Sequence, residues 1–229
     1  MKLKKMLLFD IDGTLLLTGG TGKVALEAAL LELYGIPDSW GDLIPDGKTD
    51  PVIIDEICLR ILGRNLSPEE HQIISDRYHD HFEREIEKAS GYRLMPGIPE
   101  LLSALGQRND LAMGLATGNF EKAAFLKLQK GRLHHHFSFG GYASDSADRR
   151  TLTRIAYERG RRLFPEPVDP RHVLVIGDTI HDINAGKALG AVTVSVGTGS
   201  TPATVLRALE PDFYFEDLSE TARFLALLD

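Results

Sequence analysis

The chain has 229 residues, of which 43% are hydrophobic and 26% are charged, and this balance is typical of a soluble globular protein. Its length allows one sizeable domain, or a core domain with a smaller insert. The net charge of −7 offers no broad basic surface, so we expect no nucleic-acid partner.

We do not expect the N-terminal segment to act as a signal peptide. Its apolar run, Met6–Phe9, is interrupted by Asp10, and no small-residue cleavage site follows. No apolar run in the sequence is long enough to span a bilayer, so we expect no membrane partner and a cytoplasmic location. Cys58, the single cysteine, cannot form an internal disulfide and is interpreted as an inert, packed thiol.

In chain order, short apolar runs alternate with helical segments. The predicted strands are Met6–Phe9, Leu111–Ala116, Phe137–Phe139, Val173–Ile176, Val192–Val196 and Phe213–Phe215, of which the third and the last are the weaker candidates. The helices predicted between and after them are Ile98–Arg108, Glu121–Lys130, Thr151–Arg162, Asp182–Leu189 and Thr201–Leu209. Short apolar runs without alternation suit strands buried on both faces of a parallel sheet. The pattern predicts an α/β fold with a doubly wound, Rossmann-like parallel sheet.

The interval from Thr18 to Leu94 breaks this alternation. It contains no convincing buried strand and is predicted as three helices, Thr21–Tyr34, Pro51–Leu62 and Ser67–Ser90. A helical block between the first and second core strands is interpreted as an inserted α-helical cap domain. We therefore predict a cap of residues 18–94 and a core of residues 1–17 and 95–229, with hinges at Leu17–Gly20 and Met95–Gly97.

Polar clusters follow three of the predicted strands. They are Asp10-Ile11-Asp12-Gly13-Thr14, Thr117-Gly118-Asn119 and Gly177-Asp178-Thr179-Ile180-His181-Asp182. Ligands of open α/β sheets bind beyond the carboxyl ends of the strands, so we expect the three clusters to converge on one edge. Crowded carboxylates are costly without a cation, and a small set of hard oxygen ligands suits Mg²⁺ that also binds a substrate phosphate.

Asp10 and Asp12 are two residues apart at the end of a strand. Residues i and i+2 of an extended chain point the same way, so both carboxylates can face one substrate. One could attack phosphorus while the other handles protons, since carboxylates are known acceptors of phosphoryl groups.

The three clusters, in this order, resemble the first, second and fourth motifs of the haloacid dehalogenase superfamily. The resemblance implies that Asp10 is the nucleophile and a metal ligand. Asp12 would be the general acid and base and give its backbone carbonyl to the metal. Asp178 would complete the metal ligation, with Asp182 supporting the ligands without binding the metal itself, and Thr117 would hydrogen-bond the phosphoryl group. Gly118 and Asn119, which follow Thr117, are further candidates for substrate binding.

The third motif of the family usually contains a lysine, and the matching region here does not. That region is Ser144–Leu152, and we assign the role to Arg149, with Arg150 as the second candidate. An arginine fork can bridge a carboxylate and a phosphate. A solvated helix start is the alternative interpretation for either residue.

Two glycine-containing segments lie in the predicted cap. Gly47-Lys48-Thr49-Asp50-Pro51 is predicted as a turn into a helix, with Asp50 as N-cap, and Lys48 is an additional candidate for substrate binding. Gly19-Gly20-Thr21-Gly22-Lys23 resembles a nucleotide phosphate-binding loop. However, Leu17 occupies the position of the first glycine and Val24 that of the magnesium-binding hydroxyl, so we interpret the segment as a hinge and helix start.

Together, these features predict a Mg²⁺-dependent phosphatase that acts on a small phosphorylated metabolite through an aspartyl-phosphate. By family analogy, phosphoglycolate or a sugar phosphate is the usual sort of substrate. A phosphomutase of the β-phosphoglucomutase type is the main alternative, because the motifs do not separate the two reactions. Asp12 and Asp178 argue against a haloacid dehalogenase, and the intact carboxylate set argues against a non-catalytic binding protein. The natural substrate and the oligomeric state stay open.

Overall fold

A six-stranded parallel sheet forms the centre of the molecule in the computed structural model, which describes residues 4–229. Its strand order is β5-β4-β1-β6-β7-β8, and a separate antiparallel ribbon pairs β2 with β3. The strands are β1 (Lys5–Phe9), β2 (Leu16–Leu17), β3 (Arg93–Leu94), β4 (Leu111–Ala116), β5 (Phe139–Gly141), β6 (Val173–Gly177), β7 (Val192–Val196) and β8 (Phe213–Phe215).

Helices cover both faces of the sheet and fill the interval between β2 and β3. They are α1 (Thr21–Tyr34), α2 (Asp50–Leu62), α3 (Pro68–Lys88), α4 (Ile98–Gly106), α5 (Glu121–Lys130), α6 (Arg149–Gly160), α7 (Ile180–Leu189), α8 (Ala203–Ala208) and α9 (Thr221–Leu225). None of the helices within residues 4–229 is both long and apolar enough to cross a membrane.

Strand β1 is buried on both faces, as its unbroken apolar run predicts. Leu7 and Phe9 belong to the apolar layer beneath α4, whereas Met6 and Leu8 belong to the opposite layer beneath α6. All four side chains are fully buried. Neighbours on both sides are parallel, with β4 on one and β6 on the other. The predicted α/β class with a parallel sheet is confirmed.

Helices α1, α2 and α3 pack around an apolar cluster that includes Leu30, Ile57 and Phe82. Helix α3 begins as the sequence predicts. The Ser67 hydroxyl accepts a hydrogen bond from the Glu70 N–H, and the Glu70 carboxylate accepts one from the Ser67 N–H. We name residues 18–94 the helical insert. Its action as a separate cap, and these boundaries, remain predictions.

The structure differs from the sequence prediction in three short elements. The β2–β3 ribbon, which joins the insert to the sheet, has only two residues in each strand, too few to give a strand pattern in the sequence. The strand expected at Phe137–Phe139 lies at Phe139–Gly141, following a 3₁₀ turn over His134–His136. Helix α9 was not predicted, and its five residues are too few for a clear helical period.

The strand order places the site. From β1 the chain proceeds to β4 and β5 on one side, and then crosses to β6, β7 and β8 on the other. The two halves of the sheet therefore diverge between β1 and β6, which is where open α/β sheets bind ligands. Asp10 follows β1 and Asp178 follows β6, so both stand at this switch point.

Gly97, the N-cap residue of α4, provides a stability test. Its φ is +81°, and a Cβ built on it would lie 2.2 Å from the carbonyl carbon and oxygen of Leu218. We expect Gly97→Ala to lower the free energy of unfolding by more than about 2 kcal/mol. The alanine would be strained in the left-handed conformation, and its Cβ would also overlap the Leu218 backbone. Urea unfolding followed by circular dichroism measures this loss.

The matched control is Gly35→Ala, which has a φ of +69° and no atom within 4 Å of the added Cβ. This variant should lower the free energy of unfolding by only about 1 kcal/mol, the cost of placing an alanine in the left-handed conformation. Equal losses for the two variants would contradict the role assigned to the Leu218 contact.

Candidate active site

Three buried carboxylates meet beyond the ends of β1 and β6. One oxygen from each of Asp10, Asp178 and Asp182 lies within 4.8 Å of the others. The exposed fraction of these residues is 3 to 6%. Asp182 is the least available of the three, because one of its oxygens accepts hydrogen bonds from the N–H and the hydroxyl of Thr179, at 3.0 and 2.7 Å.

Two glycines make room for the Asp178 carboxylate. A Cβ on Gly13 would lie 2.4 Å from its Oδ2, and one on Gly199 would lie 1.7 Å from the same atom. Gly13 also has a φ of +78°, a conformation that favours glycine. The Thr14 hydroxyl donates a 2.9 Å hydrogen bond to Asp178 Oδ1, which orients the carboxylate. Backbone shape and hydrogen bonding therefore hold Asp178 toward Asp10.

The pKa values of the clustered carboxyls reflect crowding in a dry site. Burial raises the pKa of Asp10 to about 6, in opposition to the nearby Arg149 charge. Burial, and then the negative charge of Asp10, raises the pKa of Asp178 well above its ordinary value. A divalent cation between these oxygens would favour both charged forms, and hard carboxylate ligands in small number fit Mg²⁺. The donor set thus fits the predicted metal.

Arg149 supplies positive charge beside Asp10. It is the first residue of α6, where Asp148 is the N-cap and accepts from the Thr151 N–H at 2.7 Å. The Arg149 Nη2 lies 2.9 Å from Asp10 Oδ1 and also contacts Asp182. Its Nε is buried and has no hydrogen-bond partner within the described chain. Arg149 therefore keeps one N–H donor that no residue of the described chain satisfies.

Arg150, the second candidate, is exposed and does not line the cavity of the site. Its neighbour Arg149 is 8% exposed and does line it. Of the two arginines, the structure places Arg149 against Asp10.

Asp12 faces a different cation from Asp10. The Lys127 ammonium lies 2.8 and 2.6 Å from the two carboxylate oxygens of Asp12, and it also donates to Asn119 Oδ1 at 2.5 Å. The Asn119 amide donates to Asp12 Oδ2 at 2.8 Å and to the Thr117 hydroxyl oxygen at 2.7 Å. Lys127 and Asn119 thus fix the orientation of the Asp12 carboxylate, whose side chain remains 39% exposed.

Lys127 is a site residue that the sequence analysis missed. It lies on α5, one helical turn from the buried Ala123 and Ala124 and next to the buried Leu128. A lysine on the apolar face of an amphipathic helix is the signal that could have identified it, because a buried ammonium requires a partner. Its side chain is 6% exposed and also approaches the Phe82 ring of α3, 5.8 Å from the centroid.

Thr117 lies behind the surface of the site and is fully buried. The Thr117 hydroxyl oxygen accepts a hydrogen bond from the Asn119 amide. The hydroxyl proton of Thr117 is therefore free to be donated to another acceptor. Gly118 lines the cavity, and a Cβ on it would lie 2.7 Å from the Lys48 carbonyl oxygen. The second predicted motif therefore lies where the helical insert contacts the sheet edge.

Hydrogen bonds at Thr49 and Asp50 join the insert to the core beside the site. The Asp50 N–H donates to the Gly118 carbonyl at 2.7 Å, and the Phe120 N–H donates to Asp50 Oδ2 at 2.7 Å. The Thr49 hydroxyl donates to the Ala147 carbonyl at 2.9 Å. Asp50 was expected to cap its own helix. Thr49 is the N-cap of α2 instead, and the Asp50 carboxylate caps the core loop.

A cavity of about 580 Å³ lies between the insert and the sheet edge. Asp10, Asp12, Asp178 and Arg149 line its floor, and Leu26, Trp40, Ile53 and Tyr78 contribute to its insert side. Lys48 also lines it, although its ammonium is paired with Glu56 at 2.5 Å. The site can therefore hold a small molecule with one end against the carboxylates and the other against the insert.

Comparisons with known proteins agree with this geometry. Residues 4–190 match the family model of haloacid dehalogenase-like hydrolases. The chain is 26% identical to a phosphoglycolate phosphatase of Haemophilus influenzae, over 96% of this chain and 98% of that protein. It is 30% identical to an N-acetylmuramic acid 6-phosphate phosphatase of Pseudomonas aeruginosa, over 85% of this chain and 82% of that protein.

A solved structure shows the same fold. A hydrolase from Pseudomonas syringae aligns with a TM-score of 0.71 at 22% identity, covering 98% of this chain and 99% of that one. The family model spans most of the chain, including β1, β4 and β6 and the three polar clusters that follow them. This protein is a member of the haloacid dehalogenase-like hydrolase family.

Proposed function

We propose that this chain is a Mg²⁺-dependent phosphatase that hydrolyses a small phosphate monoester through an aspartyl-phosphate on Asp10. The carrying observation is the pairing of two carboxylates with two separate cations. Asp10 lies against Arg149 at 2.9 Å, whereas Asp12 lies against Lys127 at 2.6 Å. The names of the two relatives, both phosphatases, agree with the proposal.

Asp10, Asp178 and the backbone carbonyl of Asp12 would hold the Mg²⁺. When bound, this ion supplies positive charge that offsets the charge of the substrate phosphoryl oxygens. Asp182 would support the site without binding the metal directly, because its two oxygens already bond Thr179 and Arg149. This assignment gives each of the four aspartates a distinct task.

In the first step, a carboxylate oxygen of Asp10 attacks phosphorus. An O–P bond forms to Asp10 while the bond from phosphorus to the leaving oxygen breaks. Asp12, as the general acid, gives a proton to the leaving oxygen, which departs as an alcohol. The unpartnered Nε of Arg149 and the hydroxyl of Thr117 are donors for the phosphoryl oxygens.

In the second step, water attacks the phosphorus of the aspartyl-phosphate. Asp12, now a carboxylate, takes a proton from this water, and the bond from phosphorus to the Asp10 oxygen breaks. Inorganic phosphate leaves, and both aspartates return to their starting states. Lys127 and Asn119 act as positioning residues, because they hold one orientation of Asp12 through both steps.

The insert acts as the cap in this proposal. The Asp50 and Thr49 contacts close it over the cavity, which excludes bulk water during the first step. Opening of the insert would admit substrate and release phosphate. A site enclosed in this way accepts a small phosphorylated metabolite rather than a macromolecule.

Asp10→Asn tests the nucleophile. We expect kcat for phosphate release from small phosphomonoesters to fall at least about 1000-fold, because the amide cannot form the acyl phosphate. A malachite green assay for free phosphate provides the measurement. Asp42→Asn, an exposed position on the insert, is the control and should retain full activity. Equal rates for wild type and Asp10→Asn would rule out the mechanism.

Removal of the metal tests the carboxylate cluster. Chelation with EDTA should abolish phosphate release, and added Mg²⁺ should restore it. Mg²⁺ should also raise the Tm of wild type in a thermal-shift measurement, since it binds the folded cluster. Asp178→Asn should lose that shift. Full activity in the presence of EDTA would contradict the assignment.

Lys127→Met tests the orientation of Asp12. We expect kcat to fall about 10- to 100-fold, because the Asp12 carboxylate loses its ion pair. In an Asp12→Asn background the same change should have little further effect, since the two residues act as a unit. Lys122→Met is the control, because Lys122 lies on the same helix but pairs with Glu83 on the surface. Additive losses would argue against the coupling.

Product analysis in the same assays separates hydrolysis from the phosphomutase alternative. A hydrolase releases one phosphate for each ester consumed. Isomerised sugar phosphate without free phosphate would mean that the phosphoryl group returns from Asp10 to a sugar hydroxyl.

A further inference from the structure

The N-terminus of α1 opens into the cavity without a cap. Gly20, its N-cap residue, has a φ of +91° and no side chain to accept a hydrogen bond, and the first turn contains no acidic residue. The backbone N–H groups of Thr21, Gly22 and Lys23 have no acceptor among the hydrogen bonds of residues 4–229. Three unsatisfied donors at a positive helix end form a ready site for an anion.

A buried hydroxyl points to the same place. Tyr78 of α3 is 4% exposed and lines the cavity, and its hydroxyl makes no hydrogen bond within the described part of the chain. A Cβ built on Gly22 would lie 3.6 Å from the Tyr78 oxygen, so the hydroxyl stands beside the first turn of α1. A buried tyrosine hydroxyl ordinarily finds a partner, and here the cavity is where a partner can lie.

Two cations on the cavity wall are also without partners. Lys23 and Arg93 line the cavity, and neither forms an ion pair with any residue that the structure describes. The other basic residues of the wall are committed: Lys48 to Glu56, Lys127 to Asp12 and Arg149 to Asp10. The unpaired positive charge of the cavity is therefore contributed by Lys23 in the first turn of α1 and by Arg93 in the β2–β3 ribbon.

We propose that this cluster is a second anion subsite, which selects phosphate monoesters that carry another anionic group, such as a carboxylate, on the leaving alcohol. The proposal rests on the proposed phosphatase function and names its substrate class. The phosphate would lie at Asp10, and the second anion would accept hydrogen bonds from the α1 N-terminus and the Tyr78 hydroxyl. Lys23 and Arg93 would contribute charge. The glycine segment that resembles a phosphate-binding loop thus binds an anion without being a nucleotide loop.

Matched ester pairs test the subsite. They are 2-phosphoglycolate with 2-hydroxyethyl phosphate, and 3-phosphoglycerate with glycerol 3-phosphate, in which the carboxylate is replaced by a neutral hydroxymethyl group. Wild type should prefer the carboxylate member of at least one pair by about tenfold or more in kcat/KM, because charge-assisted hydrogen bonds are lost in the other. Lys23→Met, Arg93→Met and Tyr78→Phe should each reduce this preference several-fold, because the carboxylate member loses more kcat/KM than the neutral member.

Arg84→Met is the control, because Arg84 is exposed on α3 and does not line the cavity. Equal kcat/KM for both members of both pairs in wild type would overturn the subsite while leaving the phosphatase proposal intact. The subsite proposal would also be overturned if the Lys23, Arg93 and Tyr78 variants lowered kcat/KM equally for both members of a pair. If wild type hydrolyses no ester, the phosphatase proposal fails, and calorimetric titration of the Asp10→Asn protein with the same pairs decides the subsite by binding alone. Tighter binding of the carboxylate members supports it, and equal binding overturns it.

Discussion

Crowding of like charge at one edge of the sheet is the constraint on which the rest of the site depends. Asp10, Asp178 and Asp182 approach within 4.8 Å because parallel strands deliver their carboxyl ends to the same place. The residues around the three carboxylates make room for them, donate hydrogen bonds to them or offset their charge. Glycines stand where a Cβ would strike a carboxylate, Thr14 and Thr179 donate to carboxylate oxygens, and Arg149 contributes a charge that does not depend on a metal.

The two cations of the site are chemically different, and each suits its position. Arg149 bridges Asp10 and Asp182 with one nitrogen and keeps another donor free, which a planar guanidinium allows. Lys127 places a compact charge between both oxygens of Asp12 and the Asn119 amide. Separate partners keep the two carboxylates of the first motif from competing for one cation, although they are only two residues apart.

Much of the fold and of the carboxylate site could be predicted because local patterns determine them. The apolar run of β1 forms a strand buried on both faces, and Asp10, Thr117 and Asp178 lie at the strand ends where parallel topology brings them together. Lys127 could not be identified as a site residue from the sequence, because its contact with Asp12 joins residues that are 115 positions apart. Asp50 was misassigned for the same reason. Its local signal is that of a helix cap, yet its carboxylate bonds a loop that is distant in sequence.

If the proposed mechanism holds, the docking of the insert on the loop after β4 has a kinetic consequence. Asp50 bonds to Gly118 and Phe120, the residues on either side of Asn119, and Asn119 orients Asp12. Lifting the insert removes two hydrogen bonds that brace the backbone of this loop. In the proposed mechanism, proton transfer by Asp12 would be best organised when the insert covers the cavity, so an enzyme with the insert lifted would turn over slowly. This coupling between insert docking and the orientation of Asp12 would make hydrolysis of loosely bound phosphate esters rare. It would not require tight ground-state binding of the preferred substrate.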